Sequence, residues 1–140
     1  MFEIYVESMG FDCAIDITDE IRKVLAKMDC KSGVATIVVI GSTCSLSVMR
    51  YEPGAVADVF EMLEQVAPKK KLYRHEMTTD DPNGAAHLRS LLIGGSVHVP
   101  LRESAVALPD EHRIVLLDFD LRAAVRKVLV HIHHLSNVTS

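Results

Sequence analysis

The segment Val34–Ile40 reads VATIVVI, almost wholly apolar and β-branched. It is too short to cross a bilayer, which takes roughly 20 apolar residues. Its composition predicts a central strand covered on both faces. Other extended segments are built differently. Phe2, Ile4 and Val6 alternate with Glu3, Tyr5 and Glu7, the period of a half-buried strand. Val97, Val99 and Leu101 repeat that pattern, as do Val128, Val130 and Ile132 near the end. Ser45–Arg50 and Ala105–Leu108 read as further extended pieces, and Ile114–Phe119 is a second apolar run. Pro100 has no N–H to donate, so it must lie on an edge or beside a bulge.

Helical periods separate these strands. Thr18 is the expected N-cap of a helix whose inner face is Ile21, Val24, Leu25 and Met28, with its end near Lys31-Ser32-Gly33. Pro53 suits a first helical position, and Val56, Val59, Phe60 and Leu63 follow on one face. Asn83 caps a shorter helix running to about Ile93 and closed by Gly94-Gly95, with Ala85, Leu88 and Leu92 on its apolar side. Leu72–Pro82 is polar and without period. Strands and helices mix without strict βαβ alternation. The expectation is therefore one α+β domain over residues 1–140, a mostly antiparallel sheet with about three helices.

Bulk properties narrow the functional classes. A chain of 140 residues suffices for a core without a covalent staple. The three cysteines, Cys13, Cys30 and Cys44, form no CxxC pair, and no basic-then-apolar leader precedes the first strand, so free thiols in the cytoplasm are expected. Net charge is −4 without a basic face, which argues against nucleic acid; Lys69-Lys70-Lys71 reads as a solvated turn. No membrane partner is expected.

Six motifs carry a resemblance. Gly41-Ser42-Thr43, Tyr51-Glu52-Pro53-Gly54, Tyr73-Arg74-His75-Glu76, Asn83-Gly84-Ala85-Ala86-His87-Leu88-Arg89, Leu91-Leu92-Ile93-Gly94-Gly95-Ser96 and the late Asp118-Phe119-Asp120 with Arg122 occur in the order and spacing of the YjbQ-like family. The resemblance implies a compact α+β domain assembled as a homotrimer with polar clefts near the subunit contacts. For some members it implies thiamine-phosphate synthesis, a transferase reaction joining a hydroxymethylpyrimidine diphosphate to a thiazole phosphate with release of pyrophosphate. The chain departs from the family pattern at Thr79, Asp80 and Ala85, where tryptophan and additional histidines are frequent, at Pro109-Asp110-Glu111-His112, and at Arg50. Those departures motivate an alternative: a catalytically inactive trimer that binds a small anion.

Glu52, His75, Asp80, Asp81 and His87 form a candidate constellation; the resemblance places His75 and His87 in one cleft, with Glu52, His75 and His87 as catalytic groups, the alternative being a surface His75 and an Asp80-Asp81 turn before Pro82. His75, His87 and Asp81 are the expected ligands of a divalent ion: Mg²⁺ if oxygen donors dominate, Zn²⁺ if imidazoles do. The partner is then a small phosphorylated molecule, and its phosphate cradle is expected at Ser42, Thr43, Asn83, Gly84, Arg89, Gly95 and Ser96, where helix starts and glycines expose amides. Arg122 is a further phosphate candidate, with surface ion pairing as its alternative. His131 and His133 share a strand face at metal spacing but read as a solvated edge. Cys44 reads as a buried small hydrophobe rather than a nucleophile.

Overall fold

The computed structural model describes residues 1–28 and 30–134. In chain order the elements are β1 Phe2–Ser8, β2 Cys13–Asp16, α1 Thr18–Leu25, β3 Ser32–Ile40, β4 Cys44–Arg50, α2 Pro53–Val66, α3 Arg74–Thr79, α4 Gly84–Ile93, β5 Ser96–Arg102, β6 Ala105–Val106, β7 His112–Asp118 and β8 Ala124–His134. They form a five-stranded sheet, β1-β8-β3-β5-β6, and a three-stranded sheet, β2-β7-β4. Every pairing is antiparallel. Among the described residues no helix is long and apolar enough to cross a membrane.

Two apolar layers hold this α+β domain together. Ile4 and Val6 of β1, Ala35, Ile37 and Val39 of β3, and Val128, Val130 and Ile132 of β8 pack against Leu46, Ile114 and Leu116 of the smaller sheet, with Ile21, Val24 and Leu25 of α1 joining them. On the smaller sheet's other face, Val115, Leu117 and Phe119 meet Leu63 of α2 and Ala86 of α4. The strand buried on both faces is therefore β7, not β3. Along β3 only alternate residues enter the core; Val34, Thr36 and Val38 are half-buried and Ile40 is exposed. An apolar run reports burial propensity but not the layer that supplies it.

Other expectations are refined. Thr18 is not the cap of α1: it lies inside the helix, buried, and its hydroxyl accepts the Ile114 N–H at 2.9 Å. The helix ends at Leu25, where tighter bonds from Lys27 to Val24 and Met28 to Leu25 take over. A fourth helix, α3, occupies the stretch without period. It buries no residue, so no apolar stripe announces it. Thr78 and Thr79 hydroxyls bond back to the His75 carbonyl at 3.0 and 2.8 Å, and Asp80 closes the turn in the left-handed region at φ 59°. Pro100 is not on an edge, since β5 lies between β3 and β6; its carbonyl accepts from Ala107 on the β6 side, so its missing N–H falls on that side and not in the β3 ladder.

Polar groups also join the layers. Asp118, fully buried at the end of β7, receives Arg126 Nε at 2.6 Å and Nη2 at 3.0 Å from β8, and Ser8 Oγ at 2.6 Å from β1. Arg126 also reaches Asp120 at 3.1 Å, and Thr43 donates to that same carboxylate at 2.9 Å. Burial by itself would raise the Asp120 carboxyl, but the bonds from Arg126 and Thr43 outweigh it and hold the group below its ordinary range. Removing one partner of a buried ion pair strands the other charge. We predict that Arg126→Ala lowers unfolding free energy by about 3–5 kcal/mol, whereas Arg122→Ala, largely exposed, changes it by less than about 0.5 kcal/mol. Urea denaturation of the two variants checks the contrast.

Candidate functional site

His75 and His87 meet. Their rings lie 4.5 Å apart, centroid to centroid, in an edge-to-face arrangement at 68°. One comes from α3 and the other from the first turn of α4, so the short loop between these helices folds the pair together. His87 Nδ1 lies 3.0 Å from the Ser42 carbonyl oxygen. A carbonyl can only accept, so Nδ1 carries a proton, and in the neutral ring Nε2 keeps its lone pair. His75 Nε2 lies 3.0 Å from Asn83 Oδ1 and 3.3 Å from Thr79 Oγ1. Among the described residues neither His75 Nδ1 nor His87 Nε2 has a hydrogen-bond partner.

The pair lines an open cavity of about 320 Å³ with Tyr73, Arg74, Gly84 and Leu88. Three features there suit an anion. Arg74 is exposed and forms no ion pair among the described residues. Gly84, a lining residue, is the first residue of α4, and a helix start carries partial positive charge. Asn83 makes no side-chain cap bond at that end, because its amide lies between His75 and Asp81. A Cβ on Gly84 would come within 2.7 Å of Tyr73 Cβ, so glycine permits the packing of Tyr73 against α4.

The expected metal set does not converge. Among the described residues no three His, Cys, Asp or Glu side chains gather as ion ligands. Asp81 Oδ2 accepts from Asn83 Nδ2 at 3.1 Å, and its other oxygen faces Arg122 at 4.0 Å. The bare nitrogens of His75 and His87 fit a borderline ion such as Zn²⁺ better than Mg²⁺. From this chain the pair would offer such an ion two donors.

Several expected site residues are committed elsewhere. Glu52 is the N-cap of α2: its two carboxylate oxygens accept from Gly54 N at 2.8 Å and Ala55 N at 2.5 Å, and it does not line the cavity. Arg89 is corrected from phosphate ligand to core residue. Fully buried, it bonds the Ala67 carbonyl at 3.0 Å, Asp12 at 2.9 Å and Glu64, which commits its guanidinium to partners inside the fold. Thr43 is buried and bound to Asp120. Ser42 serves through its carbonyl. Gly95 gives its carbonyl to Val39, and Gly94 gives its own to Leu46, so this turn stitches the two sheets; Ser96 continues from it into β5, opposite Val38. Asp80 closes α3. His131 and His133 have rings 4.6 Å apart on the exposed face of β8, away from this cavity. Cys44 is buried as expected, and that burial pushes its thiol up to about 11.

The apolar side of α4 is reversed. Ala85, Ala86, Arg89 and Ser90 are buried, whereas Leu88, Leu91 and Leu92 are exposed. Small residues let α4 approach β4 closely enough for Ser90 Oγ to reach the Cys44 carbonyl at 2.7 Å and Ser45 Oγ the Ser90 carbonyl at 3.1 Å. Three lining residues, Tyr73, Arg74 and Leu88, were missed as site residues, although Tyr73 and Arg74 share the Tyr73-Arg74-His75-Glu76 motif and Leu88 directly follows His87.

Fold and site together define a small two-sheet α+β protein with a paired-imidazole cavity at a helix N-terminus. The family model described as "UPF0047 protein YjbQ-like" matches residues 3–135, and the chain belongs to that family. A UPF0047 protein of Archaeoglobus fulgidus is 34% identical over 116 residues, covering 83% of this chain and 87% of its own. Bacillus subtilis YugU is 28% identical, covering 84% and 87%. A YbjQ-like protein of unknown function from Sulfolobus solfataricus superposes with a TM-score of 0.89 at 25% identity, over 96% of each chain.

The Glu52 contacts generate a pH prediction. The amides of Gly54 and Ala55 hold its carboxyl below the ordinary glutamate range. Its stabilising effect is therefore present above the unfolded-state value and is lost as pH falls through the folded one. Glu52→Ala is expected to lower Tm at pH 7, and the gap from wild type to close in acid. Thermal melts of both proteins from pH 7 to pH 3 check it.

Proposed function

We propose that the chain is a transferase acting on a small phosphorylated substrate in the His75–His87 cavity, with thiamine-phosphate synthesis as the specific reaction. The observation that carries this reading is the convergence of two imidazoles, an unpaired Arg74 and the amino end of α4 on one cavity. Displacing pyrophosphate builds charge on the leaving oxygens, and fixed cations and amides stabilise it. Arg74 and the α4 amides take phosphate oxygens; the bare nitrogens of His75 and His87 accept or return a proton. A divalent ion, when bound to those nitrogens, would add neutralisation of the leaving group. The proposal includes assembly as a homotrimer, for which the exposed Leu88, Leu91 and Leu92 offer an apolar surface beside the cavity.

A second reading, an anion-binding protein without turnover, has its own support. Glu52 and Asp81 already hold internal partners, and among the described residues no third ligand joins the imidazoles. Purified protein given the pyrimidine diphosphate and thiazole phosphate separates the readings. His87→Ala is expected to reduce turnover about 10²–10⁴-fold with an unchanged circular dichroism spectrum. Full activity in that variant rules out the catalytic role. No turnover in wild type, alongside phosphate binding that weakens in Arg74→Ala, establishes the second reading.

A further inference from the structure

Among the described residues Asp81 makes no hydrogen bond to either imidazole, and its side-chain contacts lead from Arg122 to Asn83. Arg122 Nη2 lies 4.0 Å from Asp81 Oδ1, Asn83 Nδ2 lies 3.1 Å from Asp81 Oδ2, and Asn83 Oδ1 lies 3.0 Å from His75 Nε2. An ionised carboxylate has no proton to give. The end of the Asn83 side chain that faces Asp81 must therefore be its NH₂ group. That places the amide oxygen, another acceptor, against His75 Nε2, which must then be the protonated nitrogen. The Thr79 hydroxyl agrees with this assignment: its proton goes to the His75 carbonyl at 2.8 Å, leaving only a lone pair toward Nε2.

From this we infer that Asp81 is a positioning residue acting through Asn83, which locks His75 with its proton on Nε2 while the Ser42 carbonyl locks His87 in the opposite form, with its proton on Nδ1. The inference rests on the reading of the two histidines as the working pair, and it changes the expected role of Asp81 from metal ligand to orienter. Two side chains of the same type, 4.5 Å apart, are thereby made unlike. One offers Nδ1 and the other Nε2 as its only lone pair, so in the neutral state the pair receives a proton donor or a cation at two defined atoms. Orienters of this kind, bonded to the second nitrogen of an imidazole, fix its tautomer and raise its basicity. Asn83 is 8% exposed, and a buried amide turned the wrong way would set two donors face to face. The lock therefore depends on the carboxylate that holds the amide.

Long-range ¹H–¹⁵N correlation spectra of the labelled full chain, at a pH where both rings are neutral, test the inference directly. In wild type, His75 is expected to show a protonated Nε2 and a bare Nδ1, and His87 the reverse. In Asp81→Ala the Asn83 amide is free to turn. His75 is then expected to pass from one form to a mixture in which each nitrogen carries the proton for a comparable fraction, while His87 keeps its wild-type pattern as an internal reference. A wild-type His75 protonated on Nδ1 overturns the tautomer assignment, and needs no variant to be seen. An Asp81→Ala spectrum in which His75 is unchanged overturns the positioning role. Because the spectra require no turnover, an inactive protein leaves this inference standing, and a failed spectrum leaves the His87→Ala activity test untouched.

Discussion

The Arg126 guanidinium is the constraint on which the rest of the architecture depends. It leaves β8 in the larger sheet and meets Asp118 and Asp120 at the end of β7 in the smaller one. Apolar packing sets the distance between two sheets but is nearly indifferent to sliding. A bidentate ion pair with little access to water is not. Asp120 then holds the Thr43 hydroxyl, which fixes the turn between β3 and β4. The residue before Thr43 is Ser42, whose carbonyl holds His87. Inter-sheet alignment and imidazole orientation are thus consecutive links of one polar chain. Both ion-pair partners need the other: Asp118 is wholly buried, and without Arg126 it would keep only the Ser8 hydroxyl and nearby amide contacts against the cost of desolvation.

Much of the fold was legible because its signals are local. The alternation in β1, the proline opening α2 and the inner face of α1 are consequences of period and backbone chemistry, and the structure keeps them. Failures occurred where tertiary context decides. Val34–Ile40 and Ile114–Phe119 are similar apolar runs, yet only the second lies between two layers, since α2 and α4 cover the far side of the smaller sheet. Helix α4 reads as leucine-inward on composition. Close approach to β4 instead selected Ala85, Ala86 and Ser90 for the interior and left the leucines outside. α3 was invisible because hydroxyl back-bonds, not burial, hold it.

The site was legible only in part, for a related reason. Residue type and family resemblance nominated His75 and His87, and the loop between α3 and α4 does unite them. Type could not reveal which polar groups are already engaged. Glu52, Arg89 and Thr43 looked available in the sequence and are each bound internally. Arg89 did carry a hint: it lies four residues after Ala85, on the same side of the helix, so the burial of one implies the burial of the other. Asn83 looked like a helix cap, but its side chain serves the histidine eight residues earlier. Nothing in a one-dimensional pattern distinguishes those two uses.

Charged and polar residues in this molecule divide by whether the fold has satisfied them. Arg89 is held by two carboxylates and a carbonyl and Arg126 by two carboxylates, and no buried side-chain nitrogen or oxygen among the described residues lacks a partner. A ligand offers such groups nothing, because it would have to displace a bond already made in low dielectric. Arg74, His75 Nδ1 and His87 Nε2 are different. They sit together at the amino end of α4, beside Gly84, where backbone amides are also left over. Unmatched hydrogen-bonding capacity is ordinary on a surface. Gathered beside one concavity, with two rings held by acceptors on their far sides, it is the feature on which the proposed site rests.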